Sequence, residues 1–142
     1  MDSKITFFSL NVGMSASLAG PNAIIKAENL DIIFHQEVCL SAEQIEQQLR
    51  GFKASVNRDE SQLSKPGTAI VWKESFPVTD VCPLTLCRLQ VATLGPYKLL
   101  NLYAPSGSDK KYGMFSLVKR FLKLCIWIVN LSGWLEGIII LF

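Results

Sequence analysis

Histidine is almost absent from this sequence, and its cysteines never occur as a closely spaced pair. The 142 residues contain one histidine, and the four cysteines, Cys39, Cys82, Cys87 and Cys125, form no C-x-x-C motif. A tetrahedral zinc site built from Cys and His is therefore excluded. Unpaired thiols are typical of a reducing, intracellular compartment such as the nucleus or cytoplasm, although Cys82 and Cys87 are close enough in sequence to pair.

The sequence also has little net charge. Its formal net charge is +2, which is smaller than the basic excess that usually accompanies nucleic-acid binding. Charge alone therefore predicts no nucleic-acid partner. Because 49% of the residues are hydrophobic and only 18% are charged, we expect one small folded domain rather than a disordered chain.

The N-terminus lacks the features of a signal peptide. The apolar run that begins at Ile5 is broken early by Ser9, Asn11 and Gly13. Asp2 adds a negative charge where a signal peptide requires a basic segment. We expect no secretory targeting from this segment.

The most informative stretch is residues 30–37, Leu-Asp-Ile-Ile-Phe-His-Gln-Glu. A short apolar run of this kind indicates a buried strand, and its polar end would place the carboxylate of Glu37 at the rim of a sheet. Glu37 is therefore the first candidate for chemistry. The alternative is that Gln36 and Glu37 simply begin a solvated loop.

A strand–helix–strand unit leads up to Glu37. Residues 5–10 form a candidate strand that ends at Asn11, and Pro21 is typical of the first position of a helix that leads to residue 30. Such a unit favours parallel strands, whose carboxyl ends lie at one edge of the sheet. Asn11 and Glu37 should therefore lie side by side, where α/β proteins bind ligands.

The middle of the chain predicts one further helix followed by antiparallel hairpins. Ser41 and Gln44 form a capping box before a short helix with Ile45 and Leu49 on one face. Strands are predicted over residues 52–56, 68–72, 76–82, 86–94 and 97–103. In the fourth, Cys87, Leu89 and Val91 form the apolar face, and Arg88 and Gln90 the polar one. One sheet edge would then carry Asn11, Glu37 and Tyr103.

Four sequence blocks carry a resemblance to a known family. They are Ser-Leu-Asn-Val at residues 9–12, Asp-Ile-Ile-Phe-His-Gln-Glu at 31–37, Lys-Pro-Gly-Thr-Ala-Ile at 65–70 and Asn-Leu-Tyr-Ala-Pro at 101–105. Together they resemble the first half of the endonuclease/exonuclease/phosphatase superfamily, in particular the apurinic/apyrimidinic-like endonuclease of non-long-terminal-repeat retrotransposons. The resemblance implies an α+β fold, a DNase I-like four-layer α/β/β/α sandwich with its C-terminal half missing. Residues 1–112 would form the N-terminal half-domain and residues 113–142 a divergent apolar tail.

The resemblance also implies an activity and its residues. The family hydrolyses phosphodiester bonds of DNA with Mg²⁺, which Glu37 would bind as a hard oxygen ligand. Asn11 would orient that glutamate and the scissile phosphate, and the Tyr103 hydroxyl would donate a hydrogen bond to the phosphate. Taken singly, Asn11 is typical of a turn and Tyr103 of core packing. Gly13 departs from the family pattern, because relatives carry Asp or Asn there.

The second half of the family's catalytic equipment is absent from the sequence. Neither its Asp-x-Asn pair nor its Asp-His pair occurs after Tyr103. His35 lies in the wrong block, and a lone histidine on an apolar strand is typical of a core residue. Because hydrolysis needs a general base and charge stabilisation on the phosphate, we expect a truncated, inactive relative of the endonucleases.

The resemblance covers residues 4–112, and residues 124–142 do not resemble the family at all. A capped helix is predicted after Asp109, with the stripe Phe115, Val118, Leu122 and Cys125. The nearby basic residues Lys110, Lys111, Lys119 and Arg120 would form either a DNA-backbone patch or a solvated helix face.

Residues 124–142 carry a single charge, Glu136, in 19 residues. This apolar tail has three interpretations: a product of truncation or a shifted reading frame, a buried helix, or a membrane anchor. Glu136 opposes the anchor by about 2 to 3 kcal/mol. With an anchor, the protein would instead be a non-enzymatic membrane-anchored or interaction protein. The sequence predicts no oligomeric state.

Overall fold

In the part of the chain that the structure describes, two β-sheets are stacked and two helices lie against one of them. The computed structural model describes residues 4–103 and 137–141. In chain order the elements are β1 Phe7–Asn11, α1 Ala19–Ala27, β2 Ile32–Val38, α2 Ala42–Gln48, β3 Phe52–Asn57, β4 Gly67–Lys73, β5 Val78–Thr85, β6 Leu89–Leu94, β7 Tyr97–Leu102 and β8 Gly137–Leu141. The first sheet has the order β1-β2-β4-β3, and the second has the order β5-β6-β7-β8.

Strand β2 is apolar on both faces because it lies between two hydrophobic cores. Ile33 packs in a core shared with the helices, whereas Ile32 and Phe34 pack in a core between the two sheets. All three side chains are fully buried. A strand covered on both faces carries a continuous apolar run rather than an alternating one. The predicted buried strand is therefore confirmed, and the burial of both of its faces explains its continuous apolar run.

The strand pairing follows the predicted connections. β1 and β2 are parallel, with helix α1 between them. β4 is antiparallel to both of its neighbours, β2 and β3. In the second sheet β6 is antiparallel to β5 and β7. The strand–helix–strand unit and the hairpins are therefore confirmed.

Helix α2 begins with the predicted capping box. Ser41 Oγ accepts a hydrogen bond from the Gln44 N–H at 3.2 Å, and Gln44 Oε1 accepts one from the Ser41 N–H at 2.8 Å. Helix α1 differs from its prediction, since it begins at Ala19 and Pro21 holds its third position rather than its first. Proline is tolerated there because the first four N–H groups of a helix have no intrahelical partner.

The second sheet departs from the predicted strand bounds and faces. β5 ends later and β6 begins later than predicted, with Cys87 in the intervening turn at a φ of 63°. Gln90, predicted on the polar face of β6, is only 1% exposed, and its Nε2 donates to the Ser55 carbonyl at 3.0 Å. The prediction failed because the polar positions of β6 face the first sheet, which no alternation pattern reveals.

The cysteine thiols of residues 4–103 are free. Cys82 is exposed, whereas Cys87 is buried in the turn between β5 and β6. These two residues therefore do not form the disulfide that their spacing allowed. Cys39 is half-buried and free, and Cys125 lies outside the described residues.

The end of the chain contributes a strand. Gly137–Leu141 pairs in parallel with β7, so for these residues the helical interpretations of the tail, buried or membrane-anchored, are wrong. An isoleucine-rich run suits a strand because β-branched side chains pack well on a pleated surface. The predicted helix after Asp109 and its basic residues lie outside the described residues. Within residues 4–103 and 137–141, no helix has the length and apolar character needed to cross a membrane.

The described residues form three layers. The helices cover one face of the first sheet, and its other face packs against the second sheet. This α+β architecture of two stacked sheets agrees with the fold class that the resemblance implies. A helical layer on the outer face of the second sheet would fall on residues outside those described.

Candidate active site

Three polar residues meet at one end of the sandwich. Asn11 ends β1, Glu37 is the next-to-last residue of β2, and Tyr103 directly follows β7. Asn11 is paired with Gln36 across β1 and β2, which places it beside Glu37. Tyr103 Oη donates a hydrogen bond to Glu37 Oε1 at 2.8 Å. The predicted grouping is confirmed, but the prediction of a single sheet edge is wrong, because Tyr103 comes from the facing sheet.

Glu37 has an unusual backbone conformation. The pairing of β2 with β4 shifts between Gln36 and Val38, so Glu37 is the extra residue of a bulge, and its φ is 54°. A left-handed conformation in a non-glycine residue costs on the order of 1 to 3 kcal/mol and persists only where its surroundings hold it. The Met14 N–H holds it here by donating to the Glu37 carbonyl at 2.9 Å. Bulges of this kind re-aim a side chain, and this one turns Glu37 toward Tyr103.

The neighbours of Glu37 keep its carboxylate ionised. Hydrogen bonds, first from Asn11 and second from Tyr103, lower the pKa of Glu37 and outweigh the opposing effect of burial. The same contact with Glu37 raises the pKa of Tyr103, so its phenol remains protonated at neutral pH. The site therefore presents a half-buried anion held by two hydrogen-bond donors.

Asn11 is itself held in place by the following loop. Its Oδ1 accepts a hydrogen bond from the Gly13 N–H at 2.9 Å, and this contact leaves the amide nitrogen to donate to Glu37. Gly13 has a φ of 61°, a conformation that glycine adopts without strain. The residue that departs from the family pattern thus shapes the loop, but it offers no side-chain ligand.

Arg88 belongs to the site and was missed by the sequence reasoning. Its Cζ lies 4.8 Å from the centroid of the Tyr103 ring, in a cation–π contact, and its carbonyl accepts a hydrogen bond from the Tyr103 N–H at 2.8 Å. The interpretation of residues 86–94 as one strand placed Arg88 on the polar face of that strand, with Gln90. No spacing pattern links Arg88 to Tyr103, because the contact depends on the pairing of β6 with β7.

A second carboxylate, that of Asp31, directly precedes β2 at its other end, and both of its oxygens accept hydrogen bonds. Asp31 Oδ1 accepts from Lys73 Nζ at 2.7 Å, and Asp31 Oδ2 accepts from the Thr6 N–H and hydroxyl, each at 2.8 Å. Burial raises the pKa of Asp31, but the hydrogen bonds from Lys73 and Thr6 together lower it below its usual value. Asp31 therefore clamps β1 to β4 and is a structural residue.

His35 is a core residue, as its sequence context predicts. Its side chain is 1% exposed, and burial lowers its pKa from 6.5 to about 4. A neutral imidazole enclosed in the core cannot exchange protons with a substrate at the surface. His35 is therefore not the missing base.

A divalent cation at this site would find a single carboxylate. Mg²⁺ usually binds one or two carboxylates together with waters and phosphate oxygens. Glu37 supplies one carboxylate, whereas Asn11 Oδ1 is already bonded to Gly13. No group of three or more His, Cys, Asp or Glu residues in the described part of the chain could hold a metal ion. The residues therefore fit a single-carboxylate site.

Comparison with known proteins finds matches among solved structures. No family model matches the sequence, and no curated protein matches it. An AP endonuclease from Archaeoglobus fulgidus matches with a TM-score of 0.63 and 20% identity, over 83% of this chain and 50% of that one. Truncated TDP2 from Caenorhabditis elegans gives 0.60 and 18%, over 83% and 51%. The 3′ phosphatase NExo from Neisseria, bound to a product DNA hairpin, gives 0.56 and 19%, over 96% and 55%.

These likenesses show the fold. The chain has the DNase I-like architecture of two stacked sheets that these proteins share, which confirms the predicted fold class. It spans about half the length of each of them. Because the sequence identity is only 18 to 20%, the likeness shows the fold and does not show an activity.

Proposed function

We propose that this chain is a DNA phosphodiester-binding relative of the Mg²⁺-dependent apurinic/apyrimidinic-like endonucleases, of the retrotransposon type, without a complete hydrolytic centre. The observation that carries the proposal is the ionised carboxylate of Glu37, held between Asn11 and Tyr103 at a backbone bulge. The fold shared with AP endonuclease, TDP2 and NExo supports it, as does the order of the four sequence blocks.

Each residue has a distinct part in this proposal. Glu37 would hold Mg²⁺, which when bound would offset the negative charge of a phosphate group. Asn11 keeps the carboxylate oriented and ionised. The Tyr103 hydroxyl, which donates to Glu37, can donate to a phosphate oxygen instead once a ligand is bound. The Arg88 guanidinium adds a positive charge beside this phenol.

Hydrolysis needs a further residue. A general base contributes about 10² to 10⁴ in rate, and it must lie within hydrogen-bond reach of the attacking water. His35 is buried and neutral, and the Asp-x-Asn and Asp-His pairs do not occur in this chain after Tyr103. We therefore expect the residues at hand to bind a phosphodiester without cleaving it.

Calorimetric titration of the full chain with Mg²⁺ tests the binding site. We expect weak binding that Glu37→Gln abolishes, because the neutral amide removes the one carboxylate of the site. Glu74→Gln is the matched control, since Glu74 is an exposed carboxylate at the other end of β4 that pairs with Lys53 at 3.6 Å. Binding that survives in Glu37→Gln and disappears in Glu74→Gln would place the cation elsewhere and refute the proposal.

A DNA assay tests the missing base. The full chain should nick supercoiled DNA no faster than Glu37→Ala does, while its affinity for DNA should fall as salt is raised, since phosphate contacts release counterions. Mg²⁺-dependent nicking that is lost in Glu37→Ala would contradict the expected inactivity. It would mean that a residue outside Asn11, Glu37 and Tyr103 supplies the base.

A further inference from the structure

A layer of buried polar side chains lies between the two sheets, directly beneath the candidate site. Its members share an exposure of 4% or less: Gln36, Asn57 and Thr68 from the first sheet, and Gln90 and Asn101 from the second. Within each sheet they are register partners on adjacent strands, and so they form two facing rows. Burying polar groups between apolar sheets is costly unless they are hydrogen-bonded, so each row depends on its contacts with the other sheet.

Asn101 joins the second sheet to two strands of the first. Its Nδ2 donates to the carbonyls of His35 at 3.1 Å and Ala69 at 2.9 Å, and its Oδ1 accepts from Gln36 Nε2 at 2.9 Å. Both N–H groups and the oxygen of this amide are therefore used. The side chain bonds β2 and β4 at the pair His35–Ala69, one residue pair away from the last pair before the bulge at Glu37.

The position of Asn101 relates it to the site. Asn101 precedes Tyr103 by two residues, and His35 precedes Glu37 by two residues. The bond from Asn101 to His35 and the bond from Tyr103 to Glu37 are therefore successive links between the same two chain segments. Each residue step along a strand covers about 3.3 Å, so the two links lie close together along the chain. A displacement of Asn101 relative to His35 would therefore also move Tyr103 relative to Glu37.

We propose that Asn101 is the positioning residue that sets the separation between Glu37 and Tyr103. This inference deepens the proposed function, since it assigns the residue that assembles that same site from two sheets. Asn57 and Gln90, two other members of the layer, act elsewhere. Asn57 Nδ2 donates to the carbonyls of Thr85 and Leu89, and Gln90 donates to Ser55. Asn57 ties β3 to the end of β5 and the start of β6, and Gln90 ties β6 to β3.

A double-mutant cycle on the full chain tests this role. Tyr103→Phe removes the hydroxyl that reaches Glu37. It is combined with Asn101→Ala or, as a control, with Gln90→Ala, which removes a buried amide of the same layer that donates to the Ser55 carbonyl on β3. A hydrogen bond of this kind changes the unfolding equilibrium constant by about fivefold. We expect that effect of Tyr103→Phe in the unaltered and Gln90→Ala backgrounds, and an effect below about twofold in Asn101→Ala. A residue that only adds stability would leave the Tyr103→Phe effect unchanged.

Equal effects of Tyr103→Phe in all three backgrounds would overturn the proposal. If Asn101→Ala does not fold, Asn101→Thr takes its place with the same expectation, because threonine suits a strand and retains only one donor. The cycle measures a side-chain contact and needs neither metal nor DNA. Equal effects of Tyr103→Phe in all backgrounds, together with intact Glu37-dependent Mg²⁺ binding, would reject the positioning role alone. A Tyr103→Phe effect that shrinks in Asn101→Ala, together with no Mg²⁺ binding, would reject the proposed function alone.

Discussion

At the residue scale, the two carboxylates that flank β2 acquire different roles from their neighbours. Asp31 forms an ion pair with Lys73 and two hydrogen bonds with Thr6, so its charge is used within the fold. Glu37 is bonded to the neutral donors Asn11 and Tyr103, which leave its negative charge uncompensated. An accessible carboxylate of this second kind is suited to a cation, because the cation supplies the missing positive charge.

The buried histidine makes stability depend on pH. Burial lowers the pKa of His35 to about 4 in the folded state, against 6.5 for an exposed histidine. Between these two values the unfolded chain binds a proton that the folded chain does not, so the free energy of unfolding falls as the pH decreases. The loss should approach about 3 kcal/mol near pH 4. His35→Leu should remove this part of the pH dependence.

Urea unfolding of the unaltered chain and of His35→Leu, followed from about pH 7 to pH 4, measures the difference. His35 is the single histidine of the sequence, so no other imidazole contributes to it. Parallel curves for the two proteins would show that His35 binds protons equally in the folded and the unfolded chain, and that its pKa is not lowered by burial.

At the element scale, the start of β4 requires a residue without a side chain. A Cβ placed on Gly67 would lie 2.1 Å from the carbonyl oxygen of Asn57 on β3, and that backbone oxygen cannot move aside cheaply. Gly67 is also the partner of Val38, just past the bulge that presents Glu37. The close approach of β3 and β4 thus supports the strand pairing on which the site is built.

Gly67→Ala should therefore destabilise the fold by about 1 to 3 kcal/mol or more. Gly20→Ala is the matched control, since a Cβ on Gly20 in α1 meets nothing within 4 Å. That change should instead stabilise the fold by about 0.5 to 1 kcal/mol, because alanine restricts the unfolded chain and favours helix. Thermal unfolding distinguishes the two variants. Similar melting temperatures would mean that β3 and β4 are farther apart at this point.

At the scale of the whole molecule, the apolar end of the chain is part of a sheet. From the sequence alone, a tail of 19 residues with one charge predicts aggregation, and its removal after Tyr112 should raise solubility. The pairing of β8 with β7 reverses this expectation. Without β8, the backbone groups on one side of β7 lose their partners, and β7 becomes an edge strand. This strand carries Leu99 and Leu100, which are fully buried in the full chain.

A chain that ends at Tyr112 should accordingly be less soluble and more aggregated than the full chain. The soluble fraction after expression and the particle size by light scattering measure the effect at matched concentration. The full chain, which retains β8, is the reference. A shorter chain that stays monomeric and more soluble would show that the tail is not needed to protect β7.

The sequence by itself determined most of the elements and the membership of the site. Local patterns were sufficient where short-range physics decides: the capping box at Ser41, the parallel pairing of β1 and β2, and the burial of His35. The grouping of Asn11, Glu37 and Tyr103 at one end also followed, because the ends of neighbouring strands are brought together by the connections between them. The roles of these residues in binding and catalysis stay predictions.

Only the tertiary structure decided how the site is assembled. Tyr103 reaches Glu37 across the two sheets, from 66 residues away in sequence, and the bulge at Glu37 arises from its pairing with β4. The burial of Gln90 and the strand at Gly137–Leu141 likewise depend on partners distant in the chain. Residue periodicity reports whether a face is apolar, but not which surface will cover it. The two sheets come together only when the whole chain folds, and this long-range packing places Arg88 and Asn101 at the site.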